Sequence, residues 1–121
     1  MIVTDTKIVQ ETLDKLLDKK SYIAIDQKDI QFLFGENPKL RMIQVAANSV
    51  NELVPLIEQD LASIGGGLPD YSLAVYVSMD MKMSDLELLE DITKNASQCR
   101  RAVIFDKSPL GDFLVYYIFR T

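Results

Sequence analysis

The sequence predicts an α+β domain in which helices pack on a four-stranded mixed sheet. Two kinds of apolar spacing point to it: some segments repeat at the three-to-four-residue helical interval, while others are short alternating or continuous apolar runs of strand length. Their order along the chain is helix, short helix, strand, helix, strand, helix, strand, strand. Strands separated by helices call for crossover connections, and two consecutive strands at the end introduce another direction, so the sheet is expected to be mixed. At 121 residues and 48% apolar content, the chain suits one domain over residues 1–121 that buries roughly two-thirds of its unfolded surface.

From Asp5 to Lys19, the residues Val9, Leu13, Leu16 and Leu17 fall on one helical stripe, with Asp5 as cap and Lys19-Lys20 at the negative end of the dipole. Asp26 reads as a second N-cap, Ile30, Leu33 and Phe34 as an apolar face, and Gly35 before Asn37-Pro38 as the stop. Leu40 to Ala47 has the length of a mostly buried strand. Val50, Leu53, Val54, Ile57 and Leu61 then form a stripe behind Asn48 or Ser49 as cap, and Pro55 predicts a kink or a late start. Gly65-Gly66-Gly67 reads as a flexible link, and Tyr71 to Val77 as the clearest strand. A capping box is expected from Ser84 to Glu87, opening a helix that ends near Asn95. Arg101 to Asp106 and Phe113 to Arg120 read as closing strands joined by a hairpin loop over residues 107–112, the last strand lying centrally because it is almost wholly apolar.

Composition removes several functional classes. Thirteen basic and eighteen acidic residues give a net charge of -5, and the basic residues are scattered apart from Arg100-Arg101, so nucleic acid is not an expected partner. The longest apolar run, Phe113 to Phe119, is far shorter than the roughly twenty residues a membrane-spanning helix needs. No membrane insertion is expected, and with a single cysteine and no signal-like N-terminus a cytoplasmic location is the expectation. No histidine is present, which excludes ordinary zinc and iron sites and histidine-based acid/base chemistry; no metal or cofactor is expected.

The candidate site residues are few. Asp26 and Asp29 stand three apart after the apolar run Tyr22 to Ile25, which aims both carboxylates at the start of one short helix. Free backbone donors and the helix dipole favour acids there whatever the function. Met79, Met81 and Met83 alternate before the fourth helix and offer either an adaptable contact surface or cover for the core. Cys99 beside Arg100-Arg101 is a candidate for a lowered thiol pKa or an inert thiol. Tyr116 and Tyr117 face opposite sides of one strand, so one of them has the chance to present its hydroxyl at a surface.

The segment Tyr22 to Phe34 resembles the acidic loop and following helix of the FtsZ/tubulin polymerising GTPases, with Asp26 and Asp29 on its two acidic positions and Ala24 where that family usually has Asn. Leu73 to Val77 with Met79-Asp80 and Ser84-Asp85-Leu86 is similar to the family's apolar strand, Asp-containing loop and capped helix. Residues 102–121 are similar to its closing hairpin, and residues 1–20 to the end of its core helix. The likeness is to the C-terminal domain, without the nucleotide-binding domain.

What the resemblance implies is an FtsZ-like domain of the cell-division cytoskeleton that is not a GTPase by itself. In that family the acidic loop of one subunit reaches the nucleotide held by the next. Gly65-Gly66-Gly67, followed by Leu68-Pro69, is no substitute for a phosphate loop. The expected function is a protein-interaction module that contacts or modulates an FtsZ-like filament. Two alternatives stand beside it: one part of a split or larger GTPase supplying Asp26 and Asp29 in trans, and a small self-associating ligand-binding protein or enzyme with pockets between subunits.

Overall fold

Asp5 starts the first helix by accepting hydrogen bonds from the N–H groups of Lys7 at 2.9 Å and Ile8 at 3.4 Å, two donors that the first helical turn would otherwise leave bare. In the computed structural model residues 1–18 and 25–121 are described. They form β1 (Ile2–Val3), α1 (Thr6–Leu17), α2 (Gln27–Phe34), β2 (Leu40–Ala47), α3 (Val50–Ser63), β3 (Ser72–Val77), α4 (Met83–Thr93), β4 (Cys99–Ile104) and β5 (Phe113–Arg120). The α+β class and the mixed sheet agree with the sequence.

The strand order is β1-β2-β5-β3-β4. β5 lies between β2 and β3 and is antiparallel to both, and β4 runs parallel to β3. The crossover helices α3 and α4 cover one face, where Leu53, Ile57 and Leu89 meet Ile43, Tyr76, Val115 and Tyr117. α1 and α2 cover the other, where Val9, Leu13, Leu33 and Phe34 meet Met42, Leu73, Val75 and Ile118. With both faces covered, every residue of β3 is buried, and the apolar β5 occupies the middle, as its composition requires.

The structure corrects several expectations. The sheet has five strands rather than four, because Ile2 and Val3 pair with Ile43 and Met42; two residues are too short to leave a periodic signal. The closing strands form no hairpin. β3 lies between β4 and β5, so the connection crosses the end of β3 instead of folding back on β4. β4 also begins and ends two residues earlier than expected, since its parallel register sets Cys99 against Ser72.

α3 starts at Val50, ahead of Pro55, so there is no late start. Ser49 accepts from the Glu52 N–H, while Glu52 accepts from the Asn48 N–H, both at 3.2 Å. Its far end explains the glycines. The Gly66 N–H donates to the Leu61 carbonyl at 2.8 Å and the Gly65 N–H to Ala62 at 3.4 Å, with φ of 98° and 115° at the two glycines. This reciprocal pair is a Schellman stop, so these two glycines terminate a helix as well as link it. α4 opens one residue before the expected box, at Met83 behind Lys82; Asp85, not Glu87, accepts from the Lys82 N–H at 3.1 Å. Ser84 therefore lies inside the helix.

Candidate functional site

The acids that open α2 do cap it. Asp26 Oδ1 accepts from the Asp29 N–H and Asp29 Oδ2 from the Asp26 N–H, each at 3.1 Å. This reciprocal arrangement satisfies two donors that the helix start would leave to solvent. The expectations attached to Ala24 and Tyr22 lie outside the described residues. Asp29 has a further contact: its Oδ1 is 3.8 Å from Nε of Arg100, in β4, with about half of the Arg100 side chain exposed.

Around that contact is an aromatic cluster that the sequence did not single out. The Arg100 guanidinium stands 5.0 Å from the centre of the Phe32 ring, and Phe32 meets Tyr71 edge to face at 5.9 Å. Both aromatic residues are 46% exposed. Phe32 is out of phase with the α2 residues that enter the core, which is the one sequence signal that was available. Tyr71 has a φ of 61°, a left-handed conformation that a bulky side chain rarely adopts. Its neighbours hold it there: the Ser72 hydroxyl donates to the Pro69 carbonyl, and Asp70 Oδ1 accepts from the Ser97 N–H at 2.8 Å. Such strain, about 1–3 kcal/mol, persists only where surrounding structure enforces it. A groove of roughly 390 Å³ continues past Phe32 and Tyr71 to Gly35 and Arg120.

The methionines belong elsewhere. Arg100 is level with Leu73 in the register, whereas Met79 follows the opposite end of β3, roughly 13 Å or more along the strand direction. Met79 and Met83 are 52% and 70% exposed, while Met81 packs against the core. The three thus form no single surface with Asp26 and Asp29. Met79 borders a smaller cavity of about 190 Å³ with Asp80, Asp106, Lys107 and Gly111.

Cys99 is not activated. Burial pushes its thiol up, and the opposing pull of Arg101 is smaller, so the residue reads as an inert thiol. Arg101 instead donates from Nε and Nη2 to the Thr93 hydroxyl at 3.2 and 2.8 Å. Of the tyrosines in β5, Tyr117 is fully buried and Tyr116 is half-buried.

Tyr117 meets Tyr76 edge to face at 6.3 Å; neither hydroxyl makes a hydrogen bond of ordinary geometry among the described residues, though the two lie close enough to influence each other's titration. Burial, the largest cause, pushes Tyr76 up to about 12 and Tyr117 well above its ordinary value. The native state therefore keeps phenol protons that the unfolded chain releases above about pH 10. Stability should be insensitive to these groups below that pH and fall above it, by up to about 1.4 kcal/mol per unit for Tyr76 until about pH 12, with Tyr117 acting in the same direction. Denaturant titrations over this range should show a shallower loss for Tyr76→Phe. At neutral pH that variant should be as stable as wild type, because the buried hydroxyl it removes makes no hydrogen bond of ordinary geometry; a loss beyond about 1 kcal/mol would show that its weak contact with Tyr117 matters.

Comparison with known protein families finds no match, and comparison with curated proteins finds none.

Proposed function

We propose that this domain is a protein-interaction module that contacts an FtsZ-like filament through the exposed face of α2 and modulates its assembly. The observation that carries the contact reading is the cluster of Phe32, Tyr71 and Arg100 around Asp29. Exposed aromatic residues and arginine, held in place by the fold, are the residue types that dominate binding energy at protein interfaces. Of the features behind the FtsZ likeness, the order of helices and strands recurs in the fold with one two-residue strand added, whereas the closing hairpin does not, because β3 lies between β4 and β5; the choice of partner rests on the sequence resemblance. Asp26 and Asp29 lie beside the cluster, but their capping bonds account for their position without any catalytic role. In this reading the domain supplies a surface rather than an acid for hydrolysis.

Two double variants separate the roles. Asp26→Asn with Asp29→Asn should change stability by less than about 1 kcal/mol, since Asn caps about as well as Asp. Phe32→Ala with Arg100→Ala, both at exposed positions, should also leave the melting curve nearly intact. Sedimentation and phosphate release of the host's FtsZ, with each domain added at matched concentration, then report the contact. Wild type should alter assembly, and the Phe32/Arg100 variant should lose that effect. Loss in the Asp26/Asp29 variant alone would favour an acidic loop acting in trans. Identical traces with and without wild-type domain would remove the filament partner.

A further inference from the structure

Asp70 and Arg120 are the charged side chains lining the groove beside Phe32 and Tyr71, and they face away from each other. Asp70 is turned toward the Ser97 N–H, which it accepts at 2.8 Å. Arg120 reaches instead over the end of α2, where its Nη1 lies 3.7 Å from the place a Cβ would take on Gly35. No ion pair joins the two among the described residues, although the register of Ser72 opposite Phe119 sets Arg120 beside Tyr71. On the other side of Phe32, Asp29 and Arg100 offset each other. These four charges sum to zero around two half-exposed aromatic rings, on a chain whose net charge is -5.

We propose that this surface joins two copies of the chain across a two-fold axis, with the Phe32 and Tyr71 rings of both at the centre and Arg120 of each copy facing Asp70 of the other. A two-fold contact lays a patch against itself, so every charge on it must find its opposite on the same patch. Asp70 and Arg120 supply one of each sign, and neither uses the other within its own chain. A partner of a single sign fits less well: an acidic segment would meet Asp70, and a basic one Arg120. Elsewhere the excess of acids makes two copies repel, which leaves a neutral patch as the place where they can approach. The rings are anchors of the type that dominate such contacts, and the left-handed φ of 61° holds Tyr71 at the surface. Self-association covers the α2 face on which the filament reading depends, so the two states exclude each other. The inference rests on that face being a contact surface, and it does not depend on an FtsZ-like partner.

Sedimentation velocity of the full chain, from micromolar to millimolar concentration, is the test. The mass should rise from 13.7 kDa toward twice that value. Arg120→Glu, Asp70→Lys and Phe32→Ala should each weaken self-association by about ten-fold or more. An equimolar mixture of Arg120→Glu and Asp70→Lys should recover it, because each variant then supplies the sign that the other lacks. Asp70→Lys gives up the bond from the Ser97 N–H, so its melting curve is compared first; if it fails to fold, Arg120→Glu and Phe32→Ala, both changed at exposed positions, decide the question. A monomer at millimolar concentration, an Arg120→Glu variant that associates like wild type, or a mixture of the two folded variants that stays monomeric would overturn the proposal. A monomeric domain that still alters filament assembly would discard the dimer alone; a dimer without any filament effect would keep the dimer and discard the filament.

Discussion

Phe34→Ala should cost about 3–5 kcal/mol of stability, whereas Phe32→Ala, two residues away on the same helix, should cost well under 1 kcal/mol. Phe34 is fully buried among Leu13, Leu33 and Ile118, and its removal leaves a cavity the sheet cannot close. Phe32 is 46% exposed, and its contacts are Tyr71 and Arg100 at the surface. The loss at Phe34 is a large fraction of the roughly 5–15 kcal/mol that stabilises a domain, so that variant is expected to unfold at a much lower urea concentration. Urea denaturation of both checks the division of α2 into an anchoring face and a presenting face. Equal losses would mean that Phe32 is structural, and the interface reading would lose its main support.

Gly111→Ala should destabilise by about 1–3 kcal/mol, the usual cost of forcing extra volume into a packed site. A Cβ there would lie 2.8 Å from the Ala47 carbonyl oxygen and 3.2 Å from the Ala47 carbonyl carbon and nitrogen. Those are backbone atoms at the end of β2, already held in register against Phe113 of β5, so they cannot yield as a flexible side chain would. Gly67→Ala is the control. Nothing lies within 4 Å of its added Cβ, and restricting the unfolded chain should leave stability unchanged or raised by up to about 1 kcal/mol. Thermal melts of the two variants decide between close approach and general glycine flexibility as the reason for Gly111.

Much of the candidate site was hidden because its members are distant in sequence. The capping pair Asp26 and Asp29 was legible, since donors and acceptors three residues apart meet by helix geometry alone. Arg100 and Tyr71 were not, because only the parallel pairing of β3 with β4 and the packing of α2 over that end bring them to Phe32. The two readings of the methionines divide between them for a related reason: alternation in sequence does not say that Met81 packs partly against the core while Met79 and Met83 remain exposed.

The amino-acid sequence by itself determined the helices, the bounds of β2 and β5, the helix-opening roles of Asp5 and Asp26 and the central place of β5, because periodicity, caps and apolar runs are local quantities. Only the tertiary structure decided which strands are neighbours. A turn-rich connection such as residues 107–112 is compatible with a hairpin or with a crossing, and the choice depends on β3 burying both its faces between β4 and β5. The same long-range pairing recruited Ile2 and Val3 as a fifth strand and assembled the Phe32, Tyr71 and Arg100 surface, since contacts between remote segments follow from what the whole core can bury, not from the residues beside them.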